Sequence, residues 1–233
     1  MSWTDKASVE HIKQLRDIFK VKTFIETGTF KGINAKLHSN NFNEVLSVER
    51  IKKYYDIAKQ RLKIENVHLF NMDSAEFLKD FVNRYKRENR NDYVIIYLDA
   101  HFYDFTEQSG LSQFTILNEL RALKDFKNCI IVIHDFDNNL GHITYDDISL
   151  NFDLLKNDLK KINSFNYYTN ELNSCDIVTK QEVIDGELDG LEPDMDTLGN
   201  LDYTWSSPRL TYRGFLYCVP SEVLVDGLKC LNT

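Results

Sequence analysis

Hydrophobic positions along the chain switch repeatedly between two rhythms. Val9, Ile12, Leu15, Ile18 and Phe19 fall at helical spacing and predict an amphipathic helix over 7–19. The run VKTFIE (21–26) is apolar without alternation and predicts a strand, with a helix over 32–40 opening at Gly32. The alternation continues. EVLSVE (44–49) reads as a strand, and Ile51, Tyr54, Tyr55, Ala58 and Leu62 make one face of a helix. NVHLFN (66–71) reads as a strand, and Phe77, Leu78, Phe81, Val82 and Tyr85 line the next helix. DYVIIYLD (92–99) is the longest strand candidate. Ile116, Leu117, Leu120 and Leu123 mark a helix, CIIVIHD (129–135) a strand, and 147–162 a helix.

Strands that are apolar without alternation are buried on both faces. Interleaved with helices, they predict a parallel sheet with right-handed crossovers. The expected fold class is therefore α/β, a doubly wound, mostly parallel seven-stranded sheet with helices on both faces. Ligands of such sheets sit at the carboxyl ends of the strands, where the strand order reverses. We read 1–233 as a single domain, with an N-terminal helix (1–20), a core (21–162) and a C-terminal part (163–233). In the last part FNYYT (165–169) suits a strand, and YRGFLYCVP (212–220) suits a final, antiparallel edge strand. Residues 181–202 carry eight acids and no Lys or Arg, which fits a solvated loop, with a lid or cation-binding segment as the sharper alternative.

Composition narrows the class. The formal net charge of −8 and the lack of a dense Lys/Arg cluster disfavour nucleic-acid partners. No run approaches the ~20 apolar residues of a membrane span, and the polar start MSWTDKASVEHIKQL lacks the apolar stretch of a secretory signal. Cys129, Cys175, Cys218 and Cys230 form no C-x-x-C pair, and two sit in apolar runs as buried reduced thiols would. A cytoplasmic protein, neither membrane-bound nor nucleic-acid-bound, is expected, with a homodimer as its expected assembly.

Candidate chemistry collects where the strands stop. Five stops carry acids: Glu26, Glu49, Asp73, Asp99 and Asp135. In FIETGTFKG (24–32), Gly28 and Gly32 allow a sharp turn and a close ligand approach, and the helix behind them aims its unpaired N–H groups the same way. An ordinary strand–helix turn is the alternative. A dinucleotide fingerprint G-x-G-x-x-G is absent, since Phe30 and Ile33 stand where glycines would. Glu49 follows about 20 residues on, where a carboxylate accepts hydrogen bonds from ribose hydroxyls; otherwise it is a surface acid beside Arg50. Asp73-Ser74-Ala75-Glu76 is an N-cap pattern, and Asp73 or Ser74 also suits an adenine edge. Asp99 leaves an apolar run and needs a partner there, either a cationic ligand or a metal. His101 suits a general base, a metal ligand or a plain loop residue, His134 suits a general base, and Asp99 and Asp135, on neighbouring strands, suit a shared divalent cation.

Together these residues resemble a known family. Glu26-x-Gly28-x-x-x-Gly32, then Glu49, Asp73-Ser74 and Leu98-Asp99, are similar in order and spacing to class I S-adenosylmethionine-dependent methyltransferases, and in particular to small-molecule and saccharide O-methyltransferases of the macrocin and catechol type. The resemblance covers roughly 7–160. It implies a Rossmann-like methyltransferase fold and S-adenosyl-L-methionine as cofactor. The loop from Glu26 through Thr27 and Gly28 to Gly32 would hold the methionine part, and Glu49 with Arg50 the ribose. Asp73 and Ser74 would lie near adenine, and Asp99 near the ammonium or a metal. Metal-dependent members pair an acid after the fourth strand with two groups after the fifth. Here Asp99 and Asp135 match, Phe136 takes the place of the third group, and His134 or Asp137 is the alternative replacement for it. A divalent cation (Mg or Mn) is thus a second expected cofactor.

Methyl transfer needs an aligned nucleophile and removal of its proton. His101, His134 and Asp135 are the catalytic candidates. The fourth strand ends Asp-Ala-His-Phe, unlike methyltransferases of nucleobase amino groups, and no Pro-Cys pair exists for cytosine-carbon methylation. The expected acceptor is a sugar, glycan or other small polar molecule, bound by loops 100–113, 136–146 and 181–212, with Tyr103, Tyr145, Tyr203 and Trp205 as walls. A nicotinamide-dependent oxidoreductase and a non-catalytic methyltransferase-like binding module are the alternatives.

Overall fold

A computed structural model describes residues 6–100, 112–139, 150–171, 176–178, 209–211 and 214–231. His101, Tyr103, Tyr145, Cys175, the acidic stretch 181–202, Tyr203 and Trp205 lie outside the described residues.

The expected alternation is present: α1 (Lys6–Phe19), β1 (Thr23–Thr27), α2 (Ile33–Ser39), β2 (Glu44–Val48), α3 (Lys52–Arg61), β3 (Val67–Phe70), α4 (Ser74–Arg87), β4 (Val94–Leu98), α5 (Ser112–Ala122), β5 (Cys129–Ile133), α6 (Phe152–Leu159) and β6 (Asn166–Asn170). A short antiparallel pair, β7 (Asp176–Val178) with β8 (Arg209–Thr211), stands apart from the main sheet. The chain then returns through β9 (Leu216–Val219) and β10 (Leu228–Cys230).

The main sheet has eight strands in the order β10-β6-β9-β5-β4-β1-β2-β3. Strands β3, β2, β1, β4 and β5 are mutually parallel, and the order reverses between β1 and β4. Two details differ from the sequence expectation. The strand in 212–220 is antiparallel as expected, but it lies between β5 and β6 instead of at the edge. Its composition explains this, because Leu216, Tyr217, Cys218 and Val219 are all fully buried and need cover on both faces. The edge is instead β10, the eighth strand, whose short, partly exposed Leu-Lys-Cys run suits an edge.

Alternate side chains of each inner strand feed two cores. Phe24, Ile95, Tyr97, Ile130, Val132 and Tyr217 pack on the side that also buries Ile12, Leu15, Ala35 and Ala58 from α1, α2 and α3. Ile25, Ile96, Leu98, Ile131, Ile133 and Cys218 pack on the side of α4, α5 and α6. This is why the strands read as unbroken apolar runs. Cys129 and Cys218 are buried free thiols, as their apolar settings suggest. Ile18, expected on the apolar face of α1, is 47% exposed, whereas Phe19 packs on the core and against Tyr93. No helix among the described residues is long and apolar enough to cross a membrane.

The ends of the chain are tied across the sheet. His11 Nδ1 lies 3.0 Å from the Tyr217 hydroxyl, and the Asp226 amide donates to Gln14 Oε1 at 3.2 Å. Burial holds the His11 imidazole neutral, its pKa lowered to about 4. Gly214, entering β9, accepts from the Phe136 amide at 2.8 Å, and a Cβ there would lie 1.9 Å from the Phe136 carbonyl oxygen. Gly214→Ala must therefore push the loop after β5 away from β9. We expect it to lower stability by about 1–3 kcal/mol, as overpacking does. Thermal and urea denaturation read this directly, and an unchanged midpoint would contradict the packing described.

Candidate active site at the strand ends

The site begins with register. Thr27 pairs with Val48 on one side and Leu98 on the other, and Leu98 pairs with Ile133. The next residues, Gly28, Glu49, Asp99 and His134, therefore emerge side by side at the carboxyl edge, at the point of strand-order reversal.

The glycine loop is bound to this edge. The Gly28 and Thr29 amides donate to the Val48 carbonyl at 2.9 and 3.2 Å, and the Gly32 amide donates to the Thr29 carbonyl at 2.8 Å. Gly28 and Gly32 both have positive φ, 80° and 82°. A Cβ on Gly28 would lie 2.4 Å from the Asp99 carbonyl oxygen, so the loop touches β4 as closely as backbone allows. Phe30 also adopts a left-handed φ of 49°. Its ring packs 4.5 Å from that of Tyr54, and its amide donates to Glu49 Oε2 at 2.8 Å.

Three acids meet here, each held differently. Glu26 is 1% exposed and lies under the loop. Its Oε1 accepts from Asn34 Nδ2 at 2.8 Å and its Oε2 from Ser47 Oγ at 2.5 Å, while Ser47 Oγ lies 2.6 Å from Thr29 Oγ1. Burial pushes its pKa up to about 8; the bonds from Ser47 and Asn34 oppose that rise, and the charges of Asp99 and Glu49 add to it. Glu49 accepts from the Phe30 and Ile51 amides, one at each oxygen, both at 2.8 Å. Burial raises its pKa as well, against those amides. Asp99 is the most open of the three, its side chain 14% exposed. Its amide donates to the carbonyl and hydroxyl of Thr27, both at 3.2 Å, which employs Thr27 in joining the strands.

His134 Nδ1 stands 3.0 Å from Asp99 Oδ1 and 3.4 Å from Asp135 Oδ1. Burial pulls its pKa down, but the charges of Asp135 and Asp99 outweigh that and push it up to about 10. At neutral pH His134 is thus a buried imidazolium between two carboxylates. One donor atom from each of Asp99, His134 and Asp135 lies within 4.8 Å of the others, close enough for these groups to hold a metal ion. Asp135, with φ 56°, turns the chain out of β5.

Asp73 caps α4, its Oδ1 accepting from the Ala75 and Glu76 amides at 2.9 and 3.1 Å, and Ser74 is buried. The cap expected from the sequence is there. Arg50 is exposed beside Glu49, its carbonyl accepting from Asn71 Nδ2 at 3.1 Å. The expected residues Glu26, Thr27, Gly28, Glu49, Asp99, His134 and Asp135 thus converge along β1, β2, β4 and β5. Sequence reasoning missed Thr29, Asn34 and Ser47, which complete the shell of Glu26, and the fully buried Glu119 of α5. Ser47 did leave a signal, as a lone hydroxyl inside the apolar run EVLSV.

No protein-family model matches the chain, and no curated protein matches it. Solved structures do. The phosphoethanolamine N-methyltransferase 2 of Haemonchus contortus, in complex with S-adenosyl-L-methionine, aligns at a TM-score of 0.50 and 13% identity, over 94% of this chain and 53% of that one. The methyltransferase domain of bacterial CtHen1 aligns at 0.47 and 14%, over 92% of this chain and 97% of that one. An O-methyltransferase from Bacillus cereus, in complex with S-adenosylhomocysteine, aligns at 0.48 and 12%, over 95% and 83%. The chain spans about half the length of the Haemonchus enzyme. At this identity the likeness is one of fold: the chain has the Rossmann-like fold of S-adenosylmethionine-dependent methyltransferases, with a mostly parallel sheet.

The raised pKa of Glu26 makes stability depend on pH. Between its ordinary value of 4.5 and about 8, the folded chain keeps a proton that the unfolded chain has released. Stability contributed below that window is lost as pH rises through it, by on the order of 2–4 kcal/mol. Glu26→Gln mimics the protonated acid and should flatten the decline between pH 5 and 8. Urea denaturation of both proteins across that range measures it, and parallel curves would show Glu26 to be ionised in the folded chain.

Proposed function

We propose that this protein is an S-adenosylmethionine-dependent methyltransferase acting on an oxygen of a sugar, glycan or other small polar molecule. The observation that carries the proposal is the convergence of the Gly28–Gly32 loop, Glu49 and Asp99 at the strand-order reversal of a methyltransferase-type sheet. The macrocin- and catechol-type motif order supports the finer, O-directed reading.

The residues fit the cofactor by their chemistry. A nucleoside bearing a sulfonium and an ammonium is cationic, and Glu49 and Asp99 offer it acidic, mostly dehydrated side chains. Asp99, the most open acid, is assigned the ammonium. Glu49, held by the Phe30 and Ile51 amides, keeps lone pairs for ribose hydroxyls. Glu26 lies too deep for contact and sets the loop from below. Asp73, with one oxygen engaged as a cap, and Ser74 border the adenine side. When bound, the cofactor supplies a methyl group already activated by positive charge on sulfur.

The chain's own work is alignment and proton removal, worth up to roughly 7–11 kcal/mol and about 10²–10⁴-fold respectively. Asp135 is assigned the acceptor's proton, with the imidazolium of His134 holding it and Asp99 ionised. His101, two residues past Asp99, is a second base within the same proposal. A divalent ion, Mg or Mn, would be held by the oxygens of Asp99 and Asp135, with His134 joining them only after giving up its Nδ1 proton, and there would lower the acceptor's pKa.

Calorimetric titration with S-adenosylhomocysteine tests the cofactor. We expect micromolar binding, weakened about tenfold to a hundredfold in Asp99→Asn, as loss of a charge-assisted bond implies, and no binding of NADH. Binding of NADH alone would overturn the assignment. Methyl release onto a panel of sugars and phenols, with and without chelator, then tests the acceptor and the metal. Turnover confined to nitrogen acceptors would overturn the O-directed reading.

A further inference from the structure

A groove of about 610 Å³ opens beside the loop after β5, running along α6 to β6 and the end of β10. Phe136, Asp137, Asn138 and Asn139 form one end, and Phe152, Tyr167 and Leu231 supply apolar surface farther along. We propose that this groove binds an uncharged, polyhydroxylated ligand of disaccharide size, at a place separate from the acid cluster of the strand ends.

Its walls are built and fixed. The Asp137 amide donates to the Leu150 carbonyl at 2.9 Å, which closes the loop onto the start of α6. Asn138 Nδ2 donates to Thr169 Oγ1 at 3.0 Å, tying the same loop to β6. Asn151, also in the lining, caps α6, its Oδ1 accepting from the Leu154 amide at 3.1 Å. The Phe152 and Tyr167 rings meet edge to face at 4.8 Å and offer a firm apolar wall.

The lining decides the ligand class. The charges are two Asp (137 and 153) and two Lys (156 and 160), so the groove is neutral in a chain of net charge −8. Lys156 is further neutralised by Asp153 at 2.6 Å. An anion or cation would meet as much repulsion as attraction. What remains are carboxamides, which both donate and accept, beside aromatic and aliphatic surface. Sugars present that same mixture, with hydroxyls that donate and accept around rings with apolar faces. The volume lies within the roughly 300–1,000 Å³ of small-molecule sites. The groove starts at Phe136, next to Asp135 in the chain, so its near end adjoins the turn that leaves the strand-end site. Only a use of the groove in catalysis rests on the methyl-transfer reading; binding does not.

Saturation-transfer NMR on the full chain with maltose, cellobiose and lactose tests the proposal. We expect at least one to bind with millimolar affinity, to be lost at least tenfold in Asn139→Trp, which fills the groove, and weakened severalfold in Asn139→Gly. The glycine variant suits the left-handed φ of 63° at this exposed position and so guards against misfolding. Absence of binding by all three sugars, equal binding by both variants, or displacement of the sugar by inorganic phosphate or an uncharged tripeptide would overturn it. S-adenosylhomocysteine titrated into the same samples separates the two proposals. Cofactor binding without sugar binding removes the groove alone, and sugar binding without cofactor binding leaves the groove standing.

Discussion

The structure depends on one constraint: β2, β1, β4 and β5 stop level with one another. Each of the four carries five residues, almost all buried, and their last residues are Cα partners across the sheet. A charge within those five would be sealed from water between two helix layers, so charges emerge together one step later. Two acids are exceptions: the half-buried Glu44 at the start of β2, and Glu26, one residue short of the end of β1. The result is a set of like charges closer than water alone would favour. Each is relieved differently: Glu26 by keeping its proton, Glu49 by backbone amides, and Asp99 with Asp135 by an imidazolium. The site is thus acidic in composition yet partly neutralised by its own structure.

The glycine loop shows how a binding feature and a packing feature coincide. Gly28 is required because the β4 backbone occupies the space of its Cβ, whatever ligand is present. Phe30 stands where many such loops carry a third glycine, in a left-handed conformation that costs an ordinary residue about 1 kcal/mol. Its amide bond to Glu49 and its ring contact with Tyr54 offset that cost. The loop is therefore pinned at its middle to the end of β2, and the ribose-assigned acid and the loop move as one unit.

The sequence made the parallel half of the fold readable because burial on both faces erases alternation, and the helices between retain it. Glu49, Asp99 and Asp135 were legible for the same reason, as the first polar residues after apolar runs. What was not legible depended on partners far along the chain. Nothing local to LYCV distinguishes an edge strand from one inserted between β5 and β6; only the burial of Phe215 through Val219 does. Ile18 kept helical spacing but faces solvent, while its neighbour Phe19 packs against Tyr93. The sequence placed Asp99 and Asp135 on neighbouring strands, but not that His134 Nδ1 would stand between them at 3.0 and 3.4 Å, which sets its charge state. Asn34 stands at the start of α2, and only the fold brings its Nδ2 to Glu26.

The turn after β5 joins the two regions of chemistry. Asp135 leaves the strand with φ 56°, a conformation that aspartate tolerates better than most residues. Phe136 then sits 1% exposed, with its amide bonded to the Gly214 carbonyl, so the turn has little freedom. Because of this reversal, consecutive carboxylates serve different spaces: Asp135 faces His134, and Asp137 lines the groove along α6. A regular continuation of the strand would have sent residues 135 and 137 to the same face. The buried Phe136, gripped from β9, thus separates a charged pocket from a neutral one by a single residue. The insertion of β9 next to β5 makes that grip possible, which gives the irregular C-terminal part of the chain a direct hand in shaping the site.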